Sequence, residues 1–189
     1  AYAQVPYTLP SHMSMLTGLY PEAHGVLYPF DAHGLTRMTR LADAFTTLAE
    51  SLKARGFVTS AFTDGLFMEK RYGFDQGFDE YRDERNQEFE KNGFRKFRGE
   101  LYPWIRDHAD QDFFLFIHTY DAHSPYVPPE PFRSRFKNAP PGRELPETSM
   151  QVGALLGCHE IQMLHRYADL QDLIDLYDGC VAFVDDELG

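Results

Sequence analysis

Residues 47–62 decide the fold class of this chain, and they read TLAESLKARGFVTSAF. Thr47 and Glu50 have the spacing of a helix capping box, so a helix is predicted to begin at Thr47. Gly56 is the residue type at which helices commonly end. The short, mostly apolar run over residues 57–62 is typical of a strand. A helix followed directly by a strand is the repeating unit of an α/β fold.

The same order of helix and strand recurs further along the chain. A helix is predicted around residues 102–108, and residues 113–117 read FFLFI. Five apolar residues in a row are typical of a central strand that is buried on both faces. Two long loops are also predicted, one rich in glycine and aromatic residues at 73–81 and one rich in proline at 125–146. The pattern predicts an α/β domain whose loops carry the chemistry.

Two further helices are predicted near the ends of the chain. The first covers residues 10–17, with Pro10 tolerated in the opening turn and Gly18 as the stop. The second is amphipathic and runs to the end of the chain, because apolar residues recur at helical spacing. Its apolar positions are Leu170, Leu173, Ile174, Tyr177, Val181, Val184 and Leu188.

The composition indicates a globular chain and excludes several classes of protein. Of the 189 residues, 43% are hydrophobic and 15% are aromatic, and the net charge is −11. Nucleic acid is not expected as a partner, because binding it requires clustered Lys and Arg. No window approaches the ~18 consecutive apolar residues of a membrane span, so no membrane segment is predicted. The localisation stays open.

The acidic runs and the cysteines have ordinary interpretations. The runs at residues 83–84 and 185–187 are interpreted as solvated faces, with a cation site as the alternative. Cys158 and Cys180 are too few and too far apart for a zinc site. They are interpreted as free thiols, with one disulfide as the alternative.

A hydroxyl residue precedes the first predicted helix. Residues 8–18 read TLPSHMSMLTG, which places Thr8 before the helix and His12 in its opening turn. Helix N-termini offer unpaired N–H groups and the positive end of the helix dipole, and both favour a sulfate or phosphate anion. A hydroxyl there can attack the bound group if its pKa is lowered. The alternative is that Thr8 simply caps the helix.

The longer stretch over residues 8–26 reads TLPSHMSMLTGLYPEAHGV. It resembles the nucleophile segment of the sulfatase family, within the alkaline phosphatase superfamily. That segment has a Cys-x-Pro-x-Arg core, followed by Leu-Thr-Gly and a downstream His-Gly-Val. Thr8 stands at the nucleophile position, Pro10 at the fixed proline and His12 in place of the arginine. Both downstream motifs are present.

Other segments resemble the same family over most of the chain. Residues 47–62 are similar to the helix–strand unit after the nucleophile, and residues 73–81 to the loop that follows it. Residues 113–129, FFLFIHTYDAHSPYVPP, resemble the strand and loop that deliver a substrate-binding histidine, here His123. Residues 177–189 are similar to the helix that leads toward the second half of the metal site.

The resemblance implies a fold and an extent. The fold is an alkaline-phosphatase-like or sulfatase-like α/β sandwich, with a mostly parallel central sheet that is flanked by helices and incomplete at both ends. Residues 1–189 would form part of a catalytic domain. The first strand and the later part with the metal ligands would be missing from it.

Candidate site residues follow from the residues and the resemblance together. The catalytic set is Thr8, His12 and His123. His123 follows a predicted strand at its loop end, where ligands lie in open α/β sheets, and its imidazole can donate to an anion oxygen. His24 and Asp121 are candidates for substrate binding, although each could instead hold a loop.

Two further residues near the predicted site have other interpretations. Tyr126 either lines the site or holds its loop. His118 is interpreted as structural.

Two departures from the family pattern bear on the substrate. Sulfatases convert a cysteine or serine to formylglycine, whereas the β-carbon of Thr8 carries a methyl group, so no formylglycine is expected. Nucleotide pyrophosphatase/phosphodiesterase enzymes are similar in this respect, with Thr-x-Pro-Asn-His, which favours a phosphate ester or diester. Residues 63–66 read TDGL where many sulfatases have Gly-Lys-Trp-His, so the lysine that contacts the anion is missing.

The implied function is hydrolysis of a sulfuric or phosphoric ester, carried by a small molecule or a glycan. Thr8 would act as an alkoxide on a divalent metal ion, Ca or Zn, whose other ligands lie outside residues 1–189. Without the metal its hydroxyl is a poor nucleophile, so the chain alone is expected to be inactive and the parent protein active. The alternatives are a non-catalytic relative that binds a sulfated or phosphorylated glycan or lipid, and a phosphoethanolamine-type transferase.

Overall fold

The computed structural model describes residues 2–27, 30–31, 34–35, 39–64, 67–84, 93–124, 126–136 and 170–189. Its contacts divide the chain into two compact units. The first comprises Ala1–Phe89 and Phe97–His118, and the second comprises Glu90–Lys96 and Thr119–Gly189. Both units therefore combine residues that are distant in sequence.

The two predicted helix–strand steps are present. The described helices are α1 (Thr8–Thr17), α2 (Pro21–His24), α3 (Leu48–Lys53), α4 (Gly93–Asp107), α5 (Phe132–Arg135) and α6 (Leu170–Leu188), with a 3₁₀ turn at Lys70–Tyr72. The described strands are β1 (Phe30–Asp31), β2 (Gly34–Leu35), β3 (Val58–Asp64), β4 (Glu80–Glu84) and β5 (Phe113–His118). The two steps are α3 followed by β3 and α4 followed by β5. The predicted helices and strands are confirmed, although α1 and α4 begin earlier than expected.

A three-stranded parallel sheet of order β4-β3-β5 organises the first unit. Thr63 lies opposite His118 across one pair of strands, and Asp64 lies opposite Glu84 across the other. Because the strands are parallel, their carboxyl ends lie along one edge of the sheet. β1 and β2 form a separate antiparallel pair. The parallel sheet and its flanking helices confirm the α/β prediction.

The prediction that residues 113–117 form the central strand is wrong. Among the described strands β5 pairs with β3 alone, and its residues are only half-buried. β3 lies at the centre although it carries several hydroxyl groups. Its two threonine hydroxyls are hydrogen-bonded inside the fold, whereas the buried Ser60 hydroxyl has no hydrogen-bond partner among the described residues. The Thr59 hydroxyl lies 3.0 Å from the Gly77 carbonyl oxygen and accepts the Asp79 N–H at 2.9 Å. Apolarity alone therefore misidentified the central strand.

The hydrophobic core of the first unit joins α1 to the sheet. Its buried members are Leu9, Met13, Leu16, Val26, Leu41, Ala61, Met68, Tyr72, Phe74 and Tyr81. Burial of a side chain such as Leu or Met stabilises a fold by ~1.5–3 kcal/mol. Leu9, Met13 and Leu16 lie on one face of α1 and therefore fix this helix against the core.

The capping box of α3 is confirmed, and a loop is joined to it. The Thr47 hydroxyl accepts the Glu50 N–H at 3.1 Å, while the Glu50 carboxylate accepts the Thr47 N–H at 2.8 Å. The same hydroxyl donates to the Gln76 carbonyl oxygen at 2.9 Å. Gly77, at φ 90°, passes so close that an added Cβ would lie 2.5 Å from the Glu50 backbone nitrogen. The loop over residues 73–79 is therefore packed directly on the first turn of α3.

The second unit is built around α6. Phe183 packs against Phe132 of α5 with ring centroids 5.8 Å apart, and the Arg95 guanidinium lies 4.8 Å from the centre of the Phe183 ring. Arg95 also donates to the Glu187 carboxylate at 2.7 Å. The interpretation of Glu187 as part of a solvated face is wrong, since its side chain is only 4% exposed.

The buried face of α6 differs from the predicted one. Ile174, Tyr177 and Val181 are each more than 40% exposed, whereas Leu176, Cys180 and Phe183 are buried. Of the seven predicted apolar positions, Leu173 is buried, and the side chain of Leu170 lies outside the described residues. Polar residues also occur on the buried face, where they have partners, as in the Arg95–Glu187 pair. The positions of polar residues therefore did not identify the exposed face of α6.

The remaining predictions concern the loops and the cysteines. Residues 126–131 of the proline-rich segment have no regular structure before α5, and residues 137–146 lie outside the described residues. Cys180 is buried, while Cys158 lies outside the described residues. No described helix combines the length and the apolar character that crossing a membrane requires.

Candidate active site

Thr8 occupies the first turn of α1 and does not cap it. The N-cap residue is Tyr7, whose carbonyl oxygen accepts the Ser11 N–H at 3.1 Å, and no side chain caps this end of the helix. α1 begins before Pro10 because proline is tolerated in the first turn, where its missing N–H breaks no helical bond. In the part of the chain that the structure describes, no hydrogen bond occupies the Thr8 hydroxyl. The capping alternative is therefore excluded.

His12 reaches back one turn along α1 to the nucleophile candidate. Its Nδ1 lies 2.8 Å from the Thr8 carbonyl oxygen. A carbonyl oxygen only accepts, so Nδ1 carries the proton and, in the neutral ring, Nε2 carries the lone pair. Burial lowers the pKa of His12, and the bond to Thr8 opposes this shift. Burial therefore favours the neutral imidazole, while the hydrogen bond holds the ring on the backbone of Thr8.

The ring of His12 packs against the carboxyl end of β5. It meets the His118 ring edge-to-face, with centroids 4.9 Å apart and an interplanar angle of 86°. The Phe116 ring lies 6.4 Å away at 81°. Phe116 and His118 are two residues apart on one strand and so share a face of β5. The first turn of α1 is therefore placed at the strand ends, where α/β sheets hold ligands.

His118 links two strand ends. Its Nδ1 donates to the carbonyl oxygen of Asp64, the last residue of β3, at 3.1 Å. Sequence reasoning assigned His118 a structural role and did not place it beside His12. Its position at the end of a predicted strand, two residues after Phe116, was the sequence feature that could have placed His118 near the site. Asp64 is itself buried, with 3% exposure.

His24 is buried between α1 and α2. Its Nδ1 accepts the Val26 N–H at 3.1 Å, so its Nε2 carries the proton and donates to the Ser14 hydroxyl at 3.0 Å. Burial lowers the pKa of His24. Both ring nitrogens are thus bonded within the fold, and Ser14 is a partner that sequence reasoning missed. Substrate binding by His24 stays a prediction.

Asp121 lies in the second unit and caps α4. Its two carboxylate oxygens accept the backbone N–H groups of Gly93 and Phe94 at 3.0 and 2.9 Å. The Thr119 hydroxyl donates to the same carboxylate at 2.8 Å. A carboxylate at a helix N-terminus is favoured by the helix dipole. The structure therefore gives Asp121 three partners within the fold, and its contact with substrate stays a prediction.

His123 lies in the second unit, at the loop after β5, and its side chain is exposed. Its Nδ1 donates to the Ser124 carbonyl oxygen at 2.7 Å, and its ring meets that of Tyr120 with centroids 5.0 Å apart. Tyr126 packs edge-to-face on Tyr177 at 5.7 Å, and burial raises the pKa of Tyr126. His123 is therefore the more exposed of the two candidates on this loop.

The structure brings Thr8 and His12 together in the first unit and adds His118 to them. His24 lies in the same unit, while Asp121 and His123 belong to the second. Within the described residues, no group of three or more His, Cys, Asp or Glu side chains is arranged to hold a metal ion. The described residues thus do not by themselves fit a divalent metal site.

The family model of the sulfatases matches this chain over residues 1–189. The chain belongs to the sulfatase family. Among proteins of curated function, none matches this sulfatase-family chain.

Solved structures share the fold of this sulfatase-family chain at low sequence identity. The phosphonate monoester hydrolase of Agrobacterium radiobacter matches with a TM-score of 0.64 and 17% identity, covering 99% of this chain and 49% of that one. A sulfatase from the glycosaminoglycan locus of Bacteroides thetaiotaomicron (BT33494S-sulf) matches with a TM-score of 0.61 and 16% identity, covering 100% and 47%. This chain therefore spans about half the length of those proteins.

A third match is a zinc complex. The C-terminal periplasmic domain of EcEptC from Escherichia coli, solved with Zn, has a TM-score of 0.50 and 16% identity, and the match covers 97% of this chain and 43% of that one. At such identities the likeness establishes the alkaline-phosphatase-like fold alone.

Proposed function

We propose that the protein hydrolyses a sulfate or phosphate ester, with Thr8 as the nucleophile. The observation that carries this proposal is the position of Thr8 in the first turn of α1, with no capping bond to its hydroxyl. The amide N–H groups of a first helical turn favour an anion there. Family membership supports ester hydrolysis in general. Like the chain, the complete protein is expected to carry no formylglycine at this position.

His12 is proposed to orient Thr8. Its Nδ1–H holds the carbonyl oxygen of Thr8 and so fixes the backbone of the nucleophile residue. In its neutral form His12 offers a lone pair at Nε2, whereas a bound anion requires a donor. Binding an anion would therefore require a protonated ring, and burial opposes protonation. The geometry supports the orienting role over direct contact with the anion.

His123 is proposed to contact the substrate. Its ring is exposed and lies in the loop after a strand, where a substrate-binding histidine is expected. When the ring is protonated, Nε2 can donate to an anion oxygen. Asp121 is proposed to act through the loop, because its carboxylate holds Gly93 and Phe94. His24 is likewise proposed to position α1 through Ser14.

The proposed reaction has two steps. The Thr8 oxygen forms a bond to sulfur or phosphorus while the bond from that atom to the ester oxygen breaks. The Thr8 hydroxyl proton passes to solvent, and the departing oxygen takes a proton from solvent and leaves as the alcohol. Water then attacks the covalent Thr8 ester, which releases sulfate or phosphate and restores the hydroxyl. A divalent ion, Ca or Zn, would supply positive charge that lowers the pKa of the hydroxyl, and its ligands besides Thr8 are proposed to lie outside this chain.

The substrate is proposed to be a small molecule or a glycan with a sulfate or phosphate ester. The relatives with solved structures include a phosphonate monoester hydrolase and a sulfatase from a glycosaminoglycan locus. Threonine in place of cysteine favours the phosphorus esters. Aryl sulfate, aryl phosphate, aryl phosphonate and a phosphate diester therefore form the substrate panel for a test.

Replacing Thr8 by Val tests the role of the hydroxyl, because valine keeps the branched shape. In the complete protein that contains this segment, T8V is expected to lower kcat/KM for the best ester by roughly 10³-fold or more. Thr17→Val is the matched control at the other end of α1, where the Thr17 hydroxyl donates to the Met13 carbonyl oxygen at 2.8 Å. T17V is expected to cost ~1 kcal/mol of stability and to leave turnover unchanged.

Three outcomes would contradict this proposal. Unchanged turnover in T8V would exclude Thr8 as the nucleophile. Tight binding of a sulfated or phosphorylated ligand with no turnover on the whole panel would favour the non-catalytic binding relative. Transfer of the phosphoryl group to an added alcohol, in preference to water, would favour a transferase.

A further inference from the structure

We propose that His118 is a positioning residue that keeps the ring of His12 bonded to Thr8. The catalytic meaning of this proposal rests on the proposed function, in which His12 orients the nucleophile. The effect of His118 on the orientation and tautomer of the His12 ring does not depend on the proposed function.

The contact with His118 restricts the rotation of the His12 ring. Rotation about the last side-chain bond of histidine is broad, so a single hydrogen bond does not hold one orientation. A ring flip would exchange Nδ1–H for a carbon at the Thr8 carbonyl oxygen. Edge-to-face contacts of His118 at 4.9 Å and Phe116 at 6.4 Å flank the ring of His12. Edge-to-face packing of aromatic rings is favourable, so turning the plane of the His12 ring out of this arrangement would lose both contacts.

His118 can do this because it is itself held. Its Nδ1 donates to the Asp64 carbonyl oxygen at 3.1 Å, at the end of the central strand. Thr63, next to Asp64, lies opposite His118 in the register of β3 and β5. The ring is therefore attached to two strands, both of which pack in the sheet. A ring with such an attachment is a firmer support than one on a loop.

The consequence for Thr8 follows from the hydrogen bond of His12. If the ring of His12 turns or changes tautomer, the Thr8 carbonyl oxygen loses its 2.8 Å partner. The first turn of α1 then keeps its helical bonds and loses the side-chain anchor. His118 would thus act on the nucleophile through His12, without contact with substrate.

The test measures the tautomer of His12 directly. In the 189-residue chain, long-range ¹H–¹⁵N spectra at a pH above 7 are expected to show His12 as the Nδ1–H form, with well-separated Nδ1 and Nε2 shifts. His118→Ala is expected to move the two shifts toward each other, because the ring then samples both tautomers. His118→Phe keeps an aromatic ring and is expected to retain most of the separation.

His108→Ala is the matched control within the same unit. The His108 ring stacks on Trp104 at 4.3 Å, and its Nδ1 donates to the Trp104 carbonyl oxygen at 2.8 Å, so it repeats both kinds of contact away from His12. H108A is expected to leave the His12 shifts unchanged. A change as large as that in H118A would show a general loss of packing and would contradict the proposal.

The remaining outcomes are also decisive. Unchanged His12 shifts in a folded H118A overturn the proposal, and if H118A does not fold, a folded H118F that loses the separation does the same. In the complete protein, H118A is expected to lower kcat at least tenfold with a smaller change in KM. The spectra test His118 even if T8V shows that Thr8 is not the nucleophile, so the two failures are distinguishable.

Discussion

His12 and His24 stand twelve residues apart and are held in opposite tautomers. His12 donates from Nδ1 to a carbonyl oxygen, whereas His24 accepts an N–H at Nδ1 and therefore carries its proton at Nε2. The motif spacing located both residues from the sequence. Their tautomers could not be predicted, because these depend on the backbone groups that the fold brings to each ring.

The stability of the chain is expected to fall as the pH is lowered through 6.5. Burial lowers the pKa of His12 and of His24, so the unfolded state, with a pKa of about 6.5, binds protons that the folded state does not. Stability therefore rises with pH between the lowered folded values and 6.5 and falls on acidification in that window. Thermal unfolding from pH 7.5 to 5 measures this fall. His24→Gln is expected to reduce its slope, and a Tm that is independent of pH in wild type would contradict the assignment.

At the scale of elements, the joint between the 73–79 loop and α3 is expected to be sensitive at Gly77. An added Cβ would lie 2.5 Å from both the Cγ and the backbone nitrogen of Glu50. Gly56 has the same φ of 90° with nothing within 4 Å of the Cβ position. G56A should therefore cost only the ~1–2 kcal/mol of a left-handed residue, while G77A should cost ~1–3 kcal/mol more. Urea unfolding measures the loss of stability in both variants. Equal losses in G56A and G77A would show that the contact between the 73–79 loop and α3 accommodates an added methyl group without cost.

Helices and strands could be predicted from the sequence where the interactions that determine them join residues close in sequence. The capping box of α3 depends on two residues three apart, and the structure has it as predicted. The buried face of α6 depends on Arg95, which lies 92 positions from its partner Glu187 and makes a buried carboxylate acceptable. The threonine hydroxyls of the central strand β3 likewise have partners that come from another segment. Such distant partners carry no local signal.

At the scale of the whole molecule, the resemblance to the sulfatases predicted more than composition and periodicity could. It identified the segment with Thr8 and His12, and the family model covers residues 1–189. The resemblance did not identify His118, because no family motif in this chain assigns that histidine a role. The chain spans about half the length of the proteins with the same fold.

The proposed mechanism requires that Thr8 becomes covalently esterified during turnover. The measurement that tests it most directly is mass spectrometry of the complete protein after rapid acid quenching with its best ester substrate. One sulfuryl or phosphoryl group is predicted on the side chain of Thr8, and none on the corresponding peptide of T8V. Sustained turnover with no adduct on Thr8, or with the adduct on another residue, would contradict the account.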